Sequence, residues 1–106
     1  MSTINKDSDL LTLVNVFTVE PAKQDELVKL LTEATEQTMK HLPGFVSANI
    51  HRSLDGKRVV NYAQWESRDA FEAMQKDPHA APHMRAAAAL ASFDPILCEV
   101  AEAISA

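Results

Sequence analysis

What this sequence has little of narrows its chemistry first. It has one cysteine, Cys98, so no disulfide can close within the chain, and a reducing cytoplasm is the plain expectation. It has two glycines, Gly44 and Gly56, and no glycine-rich loop to cradle a phosphate. That sets aside a nucleotide or dinucleotide cofactor held in that way. Lysine and arginine number 10 against 15 aspartates and glutamates, and the resulting charge of −5 argues against nucleic acid as a partner. No apolar run approaches the roughly 20 residues that a membrane span needs, so no membrane partner is expected. His79 and His83 stand four apart, but Pro82 lies between them. No carboxylate or cysteine at ligand spacing completes a set, so no metal site is expected. Cys98 has no paired base that would make it a nucleophile.

What remains suits one soluble domain. The 106 residues are 46% hydrophobic and 24% charged. "MSTINKDSDL" has no apolar signal core and reads as a polar lead-in, flexible over residues 1–9, before a single domain at 10–106. "LLTLVNVFTVE" (10–20) is rich in β-branched residues and predicts a strand. In 21–42, Leu27, Leu30, Leu31, Ala34, Thr38 and Leu42 fall at helical spacing, and Pro43-Gly44 stops that helix. "FVSANIHRS" (45–53) and "KRVVNYAQWE" (57–66) predict two strands joined at Asp55-Gly56, a hairpin signal. Ser67 is suited to cap a helix carrying Phe71 and Met74. Asp77-Pro78 breaks it, an alanine-rich run over 79–91 predicts a second helical piece, and "PILCEVAEAIS" (95–105) a last strand. The order β-α-β-β-α-β predicts an α+β, ferredoxin-like fold with an antiparallel sheet.

Side chains alternate across a strand, so each strand divides into two faces. Leu11, Leu13, Asn15 and Phe17 share one face of the first strand, and Val59, Asn61, Ala63 and Trp65 share one face of the third. Two helices cover one face only. The other is expected to carry Val14, Val16, Val46, Ala48, Ile50, Val60 and Tyr62, an apolar surface that a second copy would cover, giving a homodimer built sheet against sheet. The helix-covered face should be plain core, yet it holds two amides and the only tryptophan. Two readings stay open there: Asn61 bonded to backbone beside a packed Trp65, or a polar pocket. Arg85 either faces solvent or turns inward and offers a fixed cation to a developing oxyanion. His83 is suited to be a neutral donor or acceptor, while His41 and His51 are expected near solvent.

Four stretches, "LVNVFTVEPAKQDELVKLL", "LPGFVSANIHRSLDG", "VVNYAQWES" and "FEAMQKDPHAAPHMRAA", resemble the antibiotic biosynthesis monooxygenase (ABM) family over about residues 10–104. "VVNYAQWES" is the most specific of them and is similar to the cofactor-independent anthrone oxygenases of aromatic polyketide pathways. The resemblance implies a dimeric α/β-barrel assembly of ferredoxin-like chains. It implies oxidation of an anthrone- or quinol-like aromatic to a quinone, with O2 as co-substrate and neither metal nor flavin. It implies a pocket with Asn61, Trp65 and Arg85 as catalytic residues and with Asn15, Phe71 and His83 on the substrate. Phe71 departs from the expected pattern, because some close relatives are expected to carry a tyrosine there. A phenylalanine can pack on an aromatic ring but cannot donate a proton.

Two further readings compete. Haem-degrading members of the same fold resemble this chain at Asn15 and near His83, but use a tryptophan near the position of Met74. Haem as a ligand belongs to that reading alone. A dimeric protein that binds flat hydrophobic ligands without turning them over is the other.

Overall fold

A computed structural model describes residues 2–106. Met1, the first residue of the expected lead-in, lies outside the described residues. Four strands, β1 (Leu11–Val19), β2 (Phe45–Arg52), β3 (Arg58–Trp65) and β4 (Ala91–Cys98), form one antiparallel sheet in the order β2-β3-β1-β4. Helices α1 (Gln24–Gln37), α2 (Arg68–Gln75) and α3 (Ala81–Leu90) complete the ferredoxin-like arrangement. Gly56 takes φ +80 in the β2–β3 turn, where Asp55 Oδ1 accepts from the Lys57 amide. Ser67 caps α2, its Oγ accepting from the Ala70 amide at 3.1 Å.

The helix predicted over 21–42 is shorter. It divides into a 3-10 turn at Pro21–Lys23, then α1, then a second turn at Met39–His41. Thr32 and Thr35 donate their hydroxyls back to the Val28 and Leu31 carbonyls at 2.8 Å, and Thr38 leaves helical geometry with φ −128 and ψ −63. Such hydroxyls compete with the helix ladder and favour its ending. The last strand also differs from the predicted 95–105. It starts at Ala91 and ends at Cys98. β4 is an edge strand, the position in a sheet where a proline such as Pro95 is tolerated.

The faces of β2 need a larger correction. Ala48 and Ile50, expected on the outer face, point toward the helices. They stand opposite Ala63 and Asn61 in the ladder, and directly opposed residues share a face. A bulge between Phe45 and Ser47 lets Phe45 point inward as well and leaves Val46 exposed. Val14, Val16, Val60 and Tyr62 remain on the outer face, half-buried, beside an exposed Ile96.

The lead-in lies against that outer face. Ser2 and Asn49 exchange hydrogen bonds of 3.0 and 2.8 Å, and Gln64 Nε2 donates to the Thr3 carbonyl at 2.8 Å. On the helix side the core falls into two clusters, one around Phe17, Leu27 and Val59 and one around Leu13, Ala63, Trp65 and Phe71.

Candidate functional site

The two clusters part where Asn15 and Asn61 face each other across β1 and β3. Each replaces what alternation would otherwise fill with an apolar side chain. Between the clusters lies a cavity of about 110 Å³. Its wall takes Leu13, Asn15 and Phe17 from β1, and Asn61, Ala63 and Trp65 from β3. Phe45 and Ala48 come from β2, Leu31, Ala34 and Thr35 from α1, with Met39 and Met74 closing it. All of these are buried or half-buried.

The polar groups in this wall are few and particular. Asn15 Oδ1 and Asn61 Oδ1 are buried and have no hydrogen-bond partner. An unmet buried acceptor costs about 1–3 kcal/mol, so a pair of them side by side is an expensive feature for a core to keep. Each amide offers a carbonyl oxygen to a ligand hydroxyl and an NH2 to a ligand oxygen. No ionisable side chain lines the cavity among the described residues. The wall is thus apolar and aromatic with two adjacent amides, which suits a flat hydrophobic ligand held at a few points.

Trp65 is 2% exposed and fixed on two sides. Phe45 meets its ring edge-on at 5.4 Å between centroids, and Phe71 meets it at 6.5 Å. Phe71 stands behind Trp65 and is not part of the cavity wall. His83 is also off the wall, and its Nε2 shares a 3.0 Å hydrogen bond with Thr38 Oγ1. Arg85 lies on the exposed side of α3. The structure therefore brings Asn15, Asn61 and Trp65 together and leaves Phe71, His83 and Arg85 outside the wall of the single chain.

Leu31, Thr35, Met39, Phe45, Ala48 and Met74 join the wall without having been singled out as site residues. Leu31 sat on the predicted apolar stripe of the first helix, and Thr35 lies four residues beyond it. That spacing was the available signal for Thr35. Nothing in the sequence distinguishes Met39 and Met74 from ordinary core.

Carboxylates with displaced pKa values lie elsewhere. The hydrogen bond and charge of Lys40 hold Glu36 below the usual range, and the Ser53 hydroxyl does the same for Asp55 in the hairpin turn. No group of three His, Cys, Asp or Glu placed to hold a metal ion occurs among the described residues. No helix among them is long and apolar enough to cross a membrane.

Residues 10–90 match the family described as antibiotic biosynthesis monooxygenase. The tetracenomycin F1 monooxygenase of Streptomyces glaucescens is 49% identical over 106 residues, covering 100% of this chain and 95% of that one. A monooxygenase from the ActVA-Orf6 gene of Streptomyces coelicolor, solved with nanaomycin D, is 35% identical. It superposes with a TM-score of 0.82 over 91% of each chain. SnoaB, a cofactor-independent oxygenase from Streptomyces nogalater, is 29% identical, with a TM-score of 0.80 over 92% of this chain and 98% of that one.

Proposed function

The chain belongs to the antibiotic biosynthesis monooxygenase family, and from that premise we propose that it is a monooxygenase that oxidises an aromatic polyketide with O2, without metal or flavin. The substrate we assign is an anthrone or quinol, and the product a quinone. The observation that carries this reading is the pair of unpaired amide oxygens, Asn15 and Asn61, beside Trp65 in an otherwise apolar cavity. The names of two relatives, a tetracenomycin F1 monooxygenase and a cofactor-independent oxygenase, support it.

In this mechanism the substrate supplies the electrons. An anthrone loses a C–H proton to water, and its carbonyl oxygen becomes an oxyanion. The Asn61 NH2 and the indole N–H of Trp65 donate to that oxyanion, which raises the fraction of substrate in the reactive form. The electron-rich carbon reduces O2 and forms a C–O bond, giving a hydroperoxide. Loss of the second proton from that carbon with cleavage of the O–O bond leaves the quinone carbonyl and releases water. One oxygen atom enters the product and the other leaves as water. Asn15 holds a substrate hydroxyl through its Oδ1. The apolar wall orients the ring and keeps bulk water from the intermediate.

The working form is a cytoplasmic homodimer in which the outer faces, with Val14, Val16, Val60, Tyr62 and Ile96, pack on each other. The test is air oxidation of an anthrone such as dithranol, followed by quinone absorbance. Wild type accelerates it, and Asn61→Ala and Trp65→Phe both slow it. A wild-type rate equal to the uncatalysed rate across several anthrones and quinols overturns the assignment and leaves a ligand-binding protein.

A further inference from the structure

The cavity is too small for the substrate class just proposed. It measures about 110 Å³, whereas pockets for drug-sized ligands run from roughly 300 to 1,000 Å³. A surface groove of about 210 Å³ lies close by, lined by Leu42, Pro43, Gly44, Ala70 and Ala73, with Glu66 and Asp77 at its rim. Met74 lines both spaces, and it is the one residue among those described that does so.

The backbone around Met74 has little room to adjust. Gly44 holds φ +84, and a Cβ built there would collide with Ala70 Cβ. The Glu66 amide donates to the Gly44 carbonyl at 2.7 Å. α2 thus sits hard against the 43–44 turn, anchored by buried Phe71. The Met74 side chain is the movable part. It is unbranched and adapts at low cost. Small residues beyond it, Gly44, Ala70 and Ala73, leave open the space into which it gives way. A second groove adjoins the cavity through Thr35, Phe45 and Ala48. Phe45 on that side is an aromatic ring held against Trp65, a stiffer partition.

We propose that the groove outside Met74 is the distal subsite of the same pocket, and that Met74 sets how many fused rings the protein accepts. The proposal rests on the aromatic-substrate reading above. The reacting ring sits by Asn15, Asn61 and Trp65. The far end of a polycyclic substrate displaces the Met74 side chain and lies over Gly44, Ala70 and Ala73. The carboxylates of Glu66 and Asp77 disfavour an anion there, so the end that reaches the groove is uncharged.

Trp65 is the only tryptophan, so quenching of its fluorescence reports occupancy without turnover. The probes are 1,4-naphthoquinone, with two rings, and naphthacenequinone, with four. Ala73→Phe fills the groove from an exposed position. It is expected to weaken the four-ring quinone by about tenfold and to leave the two-ring quinone within about twofold. Met74→Ala is expected to tighten the four-ring quinone by about threefold and not the smaller one. Equal changes for both ligands, or none for either, overturn the subsite. If wild type shows the size split but oxidises no anthrone or quinol, the oxygenase reading fails and the subsite stands. If it binds neither quinone, both fail.

Discussion

Two pairs of side-chain amides lie on opposite faces of one sheet, and their hydrogen bonds set them apart. On the outer face Asn49 bonds to Ser2 and to the Tyr62 carbonyl. Gln64 accepts from the Ser47 hydroxyl at 2.7 Å and donates to Thr3. On the inner face Asn15 and Asn61 keep buried oxygens with no partner. The same functional group therefore fastens the fold on one side and is left with unmet acceptors on the other. β3 carries both kinds, with Gln64 outward and Asn61 inward, three residues apart. Among the described residues the outer face has one exception, the buried Thr12 Oγ1 opposite Gln64.

The largest effect tests what the outer face is for. Val60 stands opposite Val16 at the centre of its apolar stripe. Val60→Glu places a carboxylate there, which a sheet-to-sheet dimer cannot solvate. It should weaken the dimer about a thousandfold, since burying an unpaired charge costs several kcal/mol. Sedimentation velocity at micromolar concentration checks this. A wild-type monomer under those conditions removes the dimer altogether.

The next two predictions break the amide comparison from either side. Asn61→Ala should lower kcat by about a hundredfold, the scale seen when one oxyanion donor is lost. It should not lower the melting temperature, because the oxygen it deletes is buried without a partner. Gln64→Ala should do the reverse. It strips two hydrogen bonds from a side chain 2% exposed, costing about 2 kcal/mol of stability with kcat nearly unchanged. If Asn61→Ala destabilises the protein as much as Gln64→Ala and activity follows stability, the inner pair is structural too.

Much of this contrast was legible in the residues, and the reasons are local. Alternation in "VVNYAQWES" needs no knowledge of the rest of the chain, and it puts Asn61 and Trp65 on one face, the face the structure turns inward. The Asp55-Gly56 turn and the Ser67 cap are likewise short-range chemistry. The faces of β2 were not legible. Which set points inward depends on register with β3, and the bulge after Phe45 adds a residue that strict alternation does not anticipate. The start of β4 was hidden because alanines suit a helix, and only pairing with β1 draws Ala91 into the sheet. Met39 and Met74 were hidden for another reason. Their place on the wall depends on how the helical segments lie over the sheet, a tertiary fact with no local signature.

Arg85 gives the smallest expected effect and sharpens the comparison most finely. The resemblance of the sequence implies a catalytic cation, but the cavity wall of the single chain has none among the described residues. Arg85 is exposed on α3, and the cavity wall has no ionisable side chain among the described residues. If the amides and the indole alone hold the developing oxyanion, Arg85→Ala should change kcat by less than about threefold, the range of an exposed charge acting through solvent. The pH dependence of kcat/KM should then follow ionisation of the substrate, shifting when a more acidic anthrone is used and not when Arg85 is replaced. A hundredfold loss in Arg85→Ala, with its fold intact by circular dichroism, would instead mean that α3 turns its guanidinium over the cavity once substrate is bound. The cavity would then acquire its charge only in the complex.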